Sequence, residues 1–129
     1  MGGLILDKLL ITKIIGKKDA VDLDDSVYNL RDICEELRNI VILNLPIDDE
    51  FKSRNRRRLK AIDDIVKPIA EKLKNDDYIQ GYTNSKKYLL KYVEDMSIYI
   101  DGVLASMEPL NIKDFTYNTN MLMDLVLVY

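Results

Sequence analysis

The stretch Lys52-Ser53-Arg54-Asn55-Arg56-Arg57-Arg58-Leu59-Lys60 gathers six cations in nine residues with no acid among them. Arginine at that density suits phosphate or carboxylate partners, because its planar fork donates paired hydrogen bonds and stays charged at any relevant pH. Lys52, Arg54, Arg56, Arg57, Arg58 and Lys60 are therefore the candidate binding residues. The competing reading is a solvated helix face paired with nearby acids, since Glu50 lies four residues before Arg54 and Lys60 four before Asp64. The apolar line from Phe51 to Ile62 passes Asn55 and Arg58, which predicts that the first turns of this helix are poorly buried in their own subunit and covered by a partner.

Other chemistry is thin. The chain has no histidine, the commonest general base and metal ligand, and one cysteine, Cys34. A thiolate or imidazole zinc cluster, a Ser–His or Cys–His nucleophile and a Glu-x-x-His di-iron bundle are all excluded. Carboxylates alone can hold Mg²⁺, and Asp63 with Asp64 or Asp76 with Asp77 are the pairs to consider. Adjacent acids on a helix point in different directions, however, and acids in loops are normally solvated. Glycines at 2, 3, 16, 81 and 102 are too scattered for a phosphate-binding loop. No catalytic residue, metal or cofactor is expected.

The elements that carry these residues read as helices. Few Gly and Pro beside much Leu, Ile, Lys, Asp and Glu favour long helices. Leu4 to Ile15 has a wide apolar face, and Gly16 followed by Lys17 and Lys18 reads as its stop. A second helix is expected to start in the acidic stretch Asp22 to Ser26. Its core line is Val27, Leu30, Cys34, Leu37, Val41 and Asn44, widened by Ile33, Ile40, Ile42, Leu43 and Leu45, and Pro46 ends it. Asp48, Asp49 and Glu50 open a third helix, in which Pro68 predicts a kink or break near Val66, restarting as a short helix. Asn75 to Ser85 reads as loop. A fourth helix, capped by Asn84 or Ser85, carries Tyr88 or Leu89, Tyr92, Met96, Tyr99, Val103 and Met107 to Pro109. Ile112 to Tyr129 is expected to be helical, with a strand over Leu125 to Tyr129 as the alternative. The prediction is an all-α fold, a four- to five-helix bundle, mostly antiparallel, in one domain over residues 1–129.

Both ends are apolar. Leu6, Leu10 and Ile14 at one end and Leu122, Leu125, Leu127 and Tyr129 at the other either complete the chain's own core or dock onto another subunit. The acidic stretch Asp19 to Asp25 could meet the basic run of a neighbouring copy head to tail. Tyr78 and Tyr82, in the expected loop, could stack on bases beside the arginines or serve a protein interface. A small helical bundle with a short leading segment, an acidic second-helix start and adhesive ends is similar to virus head–tail connector proteins and other small phage-encoded assembly factors, and that likeness implies an assembly role.

A net charge of −3 argues against a surface made wholly for nucleic acid. Cys34 alone forms no intramolecular disulfide, so a reducing, cytoplasmic setting (or intracellular viral assembly) is the expectation. Asp7, Lys8 and Lys13 interrupt the first apolar run, which lacks the uncharged stretch of a signal peptide, and Leu6 stands where a myristoylation signal needs Ser or Thr. No membrane partner is expected. The function expected is non-enzymatic oligomerisation or adaptor work through protein partners, as a homo-oligomer or larger assembly. The alternatives are a nucleic-acid-binding accessory protein using the 52–60 segment, and a small inhibitor or immunity protein that occupies another protein's site with an acidic face.

Overall fold

Five helices account for almost all of residues 7–129, the part of the chain that the computed structural model describes, and no strand occurs among them. They are α1 (Lys8–Ile15), α2 (Lys17–Ile42), α3 (Asp49–Lys74), α4 (Thr83–Met107) and α5 (Ile112–Val128). Short turns force successive helices to run antiparallel, and α2 packs on α3, α3 on α4, α4 on α5 and α5 back on α2. This closes a four-helix ring, with α1 laid against α2. The α2–α3 and α4–α5 turns consequently lie at one end of the bundle, and α1 with the α3–α4 loop at the other.

The caps follow from sequence. Asp7 accepts from the Leu9 and Leu10 amides, Asp48 from Phe51 and Asn111 from Asp114, each filling a helix-end donor that has no partner within the helix. The expected helical start at Leu4 to Leu6 lies outside the described residues. α2 begins earlier than its acidic stretch suggests. Gly16, at φ 87°, ends α1 and immediately opens α2, so Ala20 and Leu23 join the buried line and Asp22 and Asp24 sit inside the helix. α4 starts at Thr83 behind Tyr82, one or two residues before the expected Asn84 or Ser85 cap. The last segment is a helix through Val128.

Pro68 does not break α3, which runs unbroken from Asp49 to Lys74. Val66, Ile69, Ala70 and Leu73 are buried on both sides of it, while Pro68 and Asp64 are exposed. The proline therefore leaves a carbonyl on the solvated side, and the packing of the apolar face carries the helix through.

Leu23, Leu30 and Leu37 of α2, Leu59 and Val66 of α3, Met96 and Val103 of α4, and Phe115 and Leu122 of α5 are wholly buried. Each such side chain contributes about 1.5–3 kcal/mol of transfer free energy. Leu89 rather than Tyr88 takes the inner position at the start of α4, and Tyr88 is exposed. Among the described residues, no helix is long and apolar enough to cross a membrane.

Candidate functional site

The basic run occupies the first turns of α3, and those turns are not poorly buried. Phe51, Asn55 and Leu59 face inward, and Asn55 is wholly buried, donating to the Phe51 carbonyl at 3.2 Å. Glu36 of α2 draws the arginines inward. It accepts from Arg54 and, at 2.8 Å, from Arg58, whose guanidinium also reaches the Asn55 side chain at 3.2 Å. Burial alone would raise the Glu36 carboxyl, but the hydrogen bonds from Arg54, Asn55 and Arg58 hold it below the ordinary carboxylate range. Arg56 pairs with Glu108 at the end of α4, 2.7 Å away. Three of the four arginines are thus committed within the chain, and Arg54 also lies 4.0 Å from Glu50, the helical pair anticipated from spacing. Among the described residues Lys52, Arg57 and Lys60 make no ion pair, and Arg57 and Lys60 are exposed.

The apolar ends are mostly used internally. Ile14 and Leu122 are core residues, Leu10, Leu125 and Tyr129 are half-buried, and Leu127 alone of the described set is open, at 71% exposure; Leu6 lies outside the described residues. Tyr129 stacks on Tyr92 with centroids 6.0 Å apart and lies beneath the Lys8 ammonium. Joining α1 and α5 to the ring gives a small bundle apolar area that it needs, and this removes Ile14 and Leu122 as contacts for a partner.

The acidic stretch is similarly engaged. Asp19 takes Lys72 at 3.2 Å and the Tyr78 hydroxyl at 2.8 Å, Asp22 takes Lys18 at 2.8 Å, and Asp24 takes Lys8 at 3.1 Å. These pairs lie at the α1 end, whereas the arginines lie at the other, so Tyr78 is not beside the basic run.

One polar cluster is buried between α3 and α4. Asp63 accepts from Ser97 Oγ at 2.7 Å and from Lys67 at 2.8 Å, and Asp101 stands 3.4 Å from the same ammonium. Burial would raise Asp63, but hydrogen bonds from Asp101, Lys67 and Ser97 bring it below its usual value; burial and the Asp63 charge push Asp101 up. Asp63 points inward while Asp64 is exposed, so the two do not converge, and Asp76 is held by Lys86 at 2.8 Å. Among the described residues no three carboxylates or thiols gather as a metal site. Cys34 is buried and its thiol is pushed up to about 12 by desolvation, the behaviour of a small apolar residue.

Leu9, Ile98 and Leu127 are exposed singly, whereas at the end of the bundle formed by the α2–α3 and α4–α5 turns exposed apolar side chains gather. Ile42, Leu43 and Leu45, which the helical line assigns to the core, are instead exposed, as are Leu110 and Ile112 on the α4–α5 turn. The signal was present in the sequence. Ile40-Val41-Ile42-Leu43 is apolar on every side, and one buried stripe accommodates only part of such a run. Next to it, an open groove of about 690 Å³ lies between the second half of α2 and the start of α3. Its rim carries Asp32, Glu35, Glu36, Asp48 and Glu50 with Arg54 as the one cation, over Ile40, Leu45, Pro46 and Phe51. Asp32 and Glu35 were not singled out by sequence, since their spacing puts them on one face of α2 but does not show that this face borders the groove. No protein-family model matches the chain, and no curated protein or solved structure does.

Proposed function

We propose that the chain is a non-catalytic protein-assembly module whose self-contact surface is the end of the bundle formed by the α2–α3 and α4–α5 turns. The observation that carries this reading is the exposure of Ile42, Leu43, Leu45, Leu110 and Ile112, between 47% and 62% each, at that one end. Apolar side chains left in water on two neighbouring turns are a surface that association covers favourably. Binding nucleic acid through residues 52–60 is the weaker alternative, because Arg54, Arg56 and Arg58 would have to leave Glu36 and Glu108 to meet phosphate.

Light scattering at low and high salt, with and without a short mixed-sequence oligonucleotide, tests this. The expected result is an oligomer that resists salt, ignores the oligonucleotide and dissociates in a Leu43→Asp, Leu110→Asp variant. A monomer that binds the oligonucleotide with steep salt dependence refutes it, since phosphate contacts release counterions and an apolar interface does not.

A further inference from the structure

The groove between α2 and α3 differs from the apolar end beside it, because its rim is acidic and its acids are largely unspent. Asp32 and Glu35 make no ion pair among the described residues, Asp48 is occupied only in capping the Phe51 amide, and Glu50 reaches Arg54 only at 4.0 Å. Ile40, Leu45, Pro46 and Phe51 line the same groove. With Glu36 taken by Arg54 and Arg58, the carboxylates of Asp32, Glu35, Asp48 and Glu50 beside apolar Ile40, Pro46 and Phe51 complement a segment with cations along its flanks and apolar side chains along one face.

We propose that this groove binds a cationic amphipathic helix of a partner protein. The proposal rests on the reading of the chain as a protein-contact module and names the chemistry of one partner. A second copy is not the occupant through its own basic run. In that run Phe51 and Leu59 are buried in the core, and Arg54, Arg56 and Arg58 are held by Glu36 and Glu108. The occupant's apolar face would rest on Ile40, Pro46 and Phe51, and its cations would meet Asp32 and Glu35 on one side and Asp48 and Glu50 on the other.

The test uses the full chain and three synthetic probes: an amphipathic helical peptide of leucine and lysine, the same composition with its periodicity scrambled, and a leucine–glutamate counterpart. Binding is read by anisotropy and located by residue-resolved NMR shifts. The patterned lysine peptide is expected to bind, to shift Asp32, Glu35, Asn39 and Leu45, and to weaken by about tenfold in the Asp32→Lys, Glu35→Lys double variant, the order expected when two rim pairs become repulsive. Asp32→Asn, Glu35→Gln should weaken it less and in the same sense. Equal binding of the scrambled or glutamate peptide, shifts elsewhere, or indifference to the charge reversal overturns the proposal. Absence of binding in a chain that still forms a salt-resistant oligomer overturns the groove alone. Self-association abolished by the Asp32 and Glu35 reversals also overturns it, because a second copy would then be the occupant.

Discussion

Replacing Asp63 by alanine tests whether the polar contact buried between α3 and α4 holds those helices together. The carboxylate is 5% exposed and accepts from Ser97 Oγ, itself buried, and from Lys67, which is half exposed. Losing its acceptor leaves the Ser97 hydroxyl buried without a partner, which costs about 1–3 kcal/mol. Lys67 keeps Asp101 and solvent, so its loss adds little. The expected loss is about 2 kcal/mol. With an unfolding entropy of about 2.1 cal/mol/K per residue, that lowers the melting midpoint of this chain by about 7 °C. The assay is urea and thermal unfolding of wild type, Asp63→Ala, Ser97→Ala and the double variant. The double variant should lose about 1 kcal/mol less than the sum of the two, because the orphaned hydroxyl is gone. Strict additivity would refute the reasoning. Asp63 is held below its ordinary pKa in the folded state, so its stabilisation is present above the unfolded value and disappears as pH falls through the folded one. The gap between wild type and Asp63→Asn should close in acid, and a gap that widens there contradicts the assignment.

Four further outcomes follow from the same geometry. Asp101 is pushed up, the opposite sense, so any stability it confers is present at low pH and lost as pH rises through its folded pKa; Asp101→Asn should gain on wild type in thermal scans as pH rises above the ordinary aspartate value of about 3.9. Glu36→Gln should be destabilising at neutral pH, with the deficit shrinking below about pH 4, because the folded carboxyl is lowered; denaturant titrations at several pH values read this out. Lys86 is buried and donates to Asp76 and the Ile79 carbonyl, so Lys86→Met should cost about 1–2 kcal/mol and raise amide exchange over residues 75–82, measured by mass spectrometry. Leu43→Asp, at a 62% exposed site, should change monomer stability by no more than about 0.5 kcal/mol while weakening association, a separation that calorimetry and light scattering show together.

Much of the fold was legible because it depends on local rules. Asp48 and Asn111 cap where short polar side chains should, Gly16 stops α1, and the lines Leu30–Cys34–Leu37 and Met96–Val103–Met107 lie inward as their spacing demands. Of the kink or break expected at Pro68, the break does not occur, because a local cost is outweighed by burial on both sides of it and propensity does not contain tertiary packing. Ile42 and Leu43 failed for the complementary reason: period assigns a residue to a face, but only the position of the neighbouring helices decides whether that face is covered.

By itself the sequence determined that the chain is helical and that it has no imidazole, no phosphate cradle and a single thiol, since composition and spacing act within one segment. Which charges are spent was decided only by the tertiary structure. Whether Arg54, Arg56 and Arg58 serve a partner or pair with acids is left open by sequence until Glu36 and Glu108, distant along the chain, come within hydrogen-bond reach, and Asp32 and Glu35 read as ordinary surface until α3 packs beside them and forms the groove. Charge pairing acts over a few ångströms of space, and residues that far apart along the chain share that space only after the helices have packed.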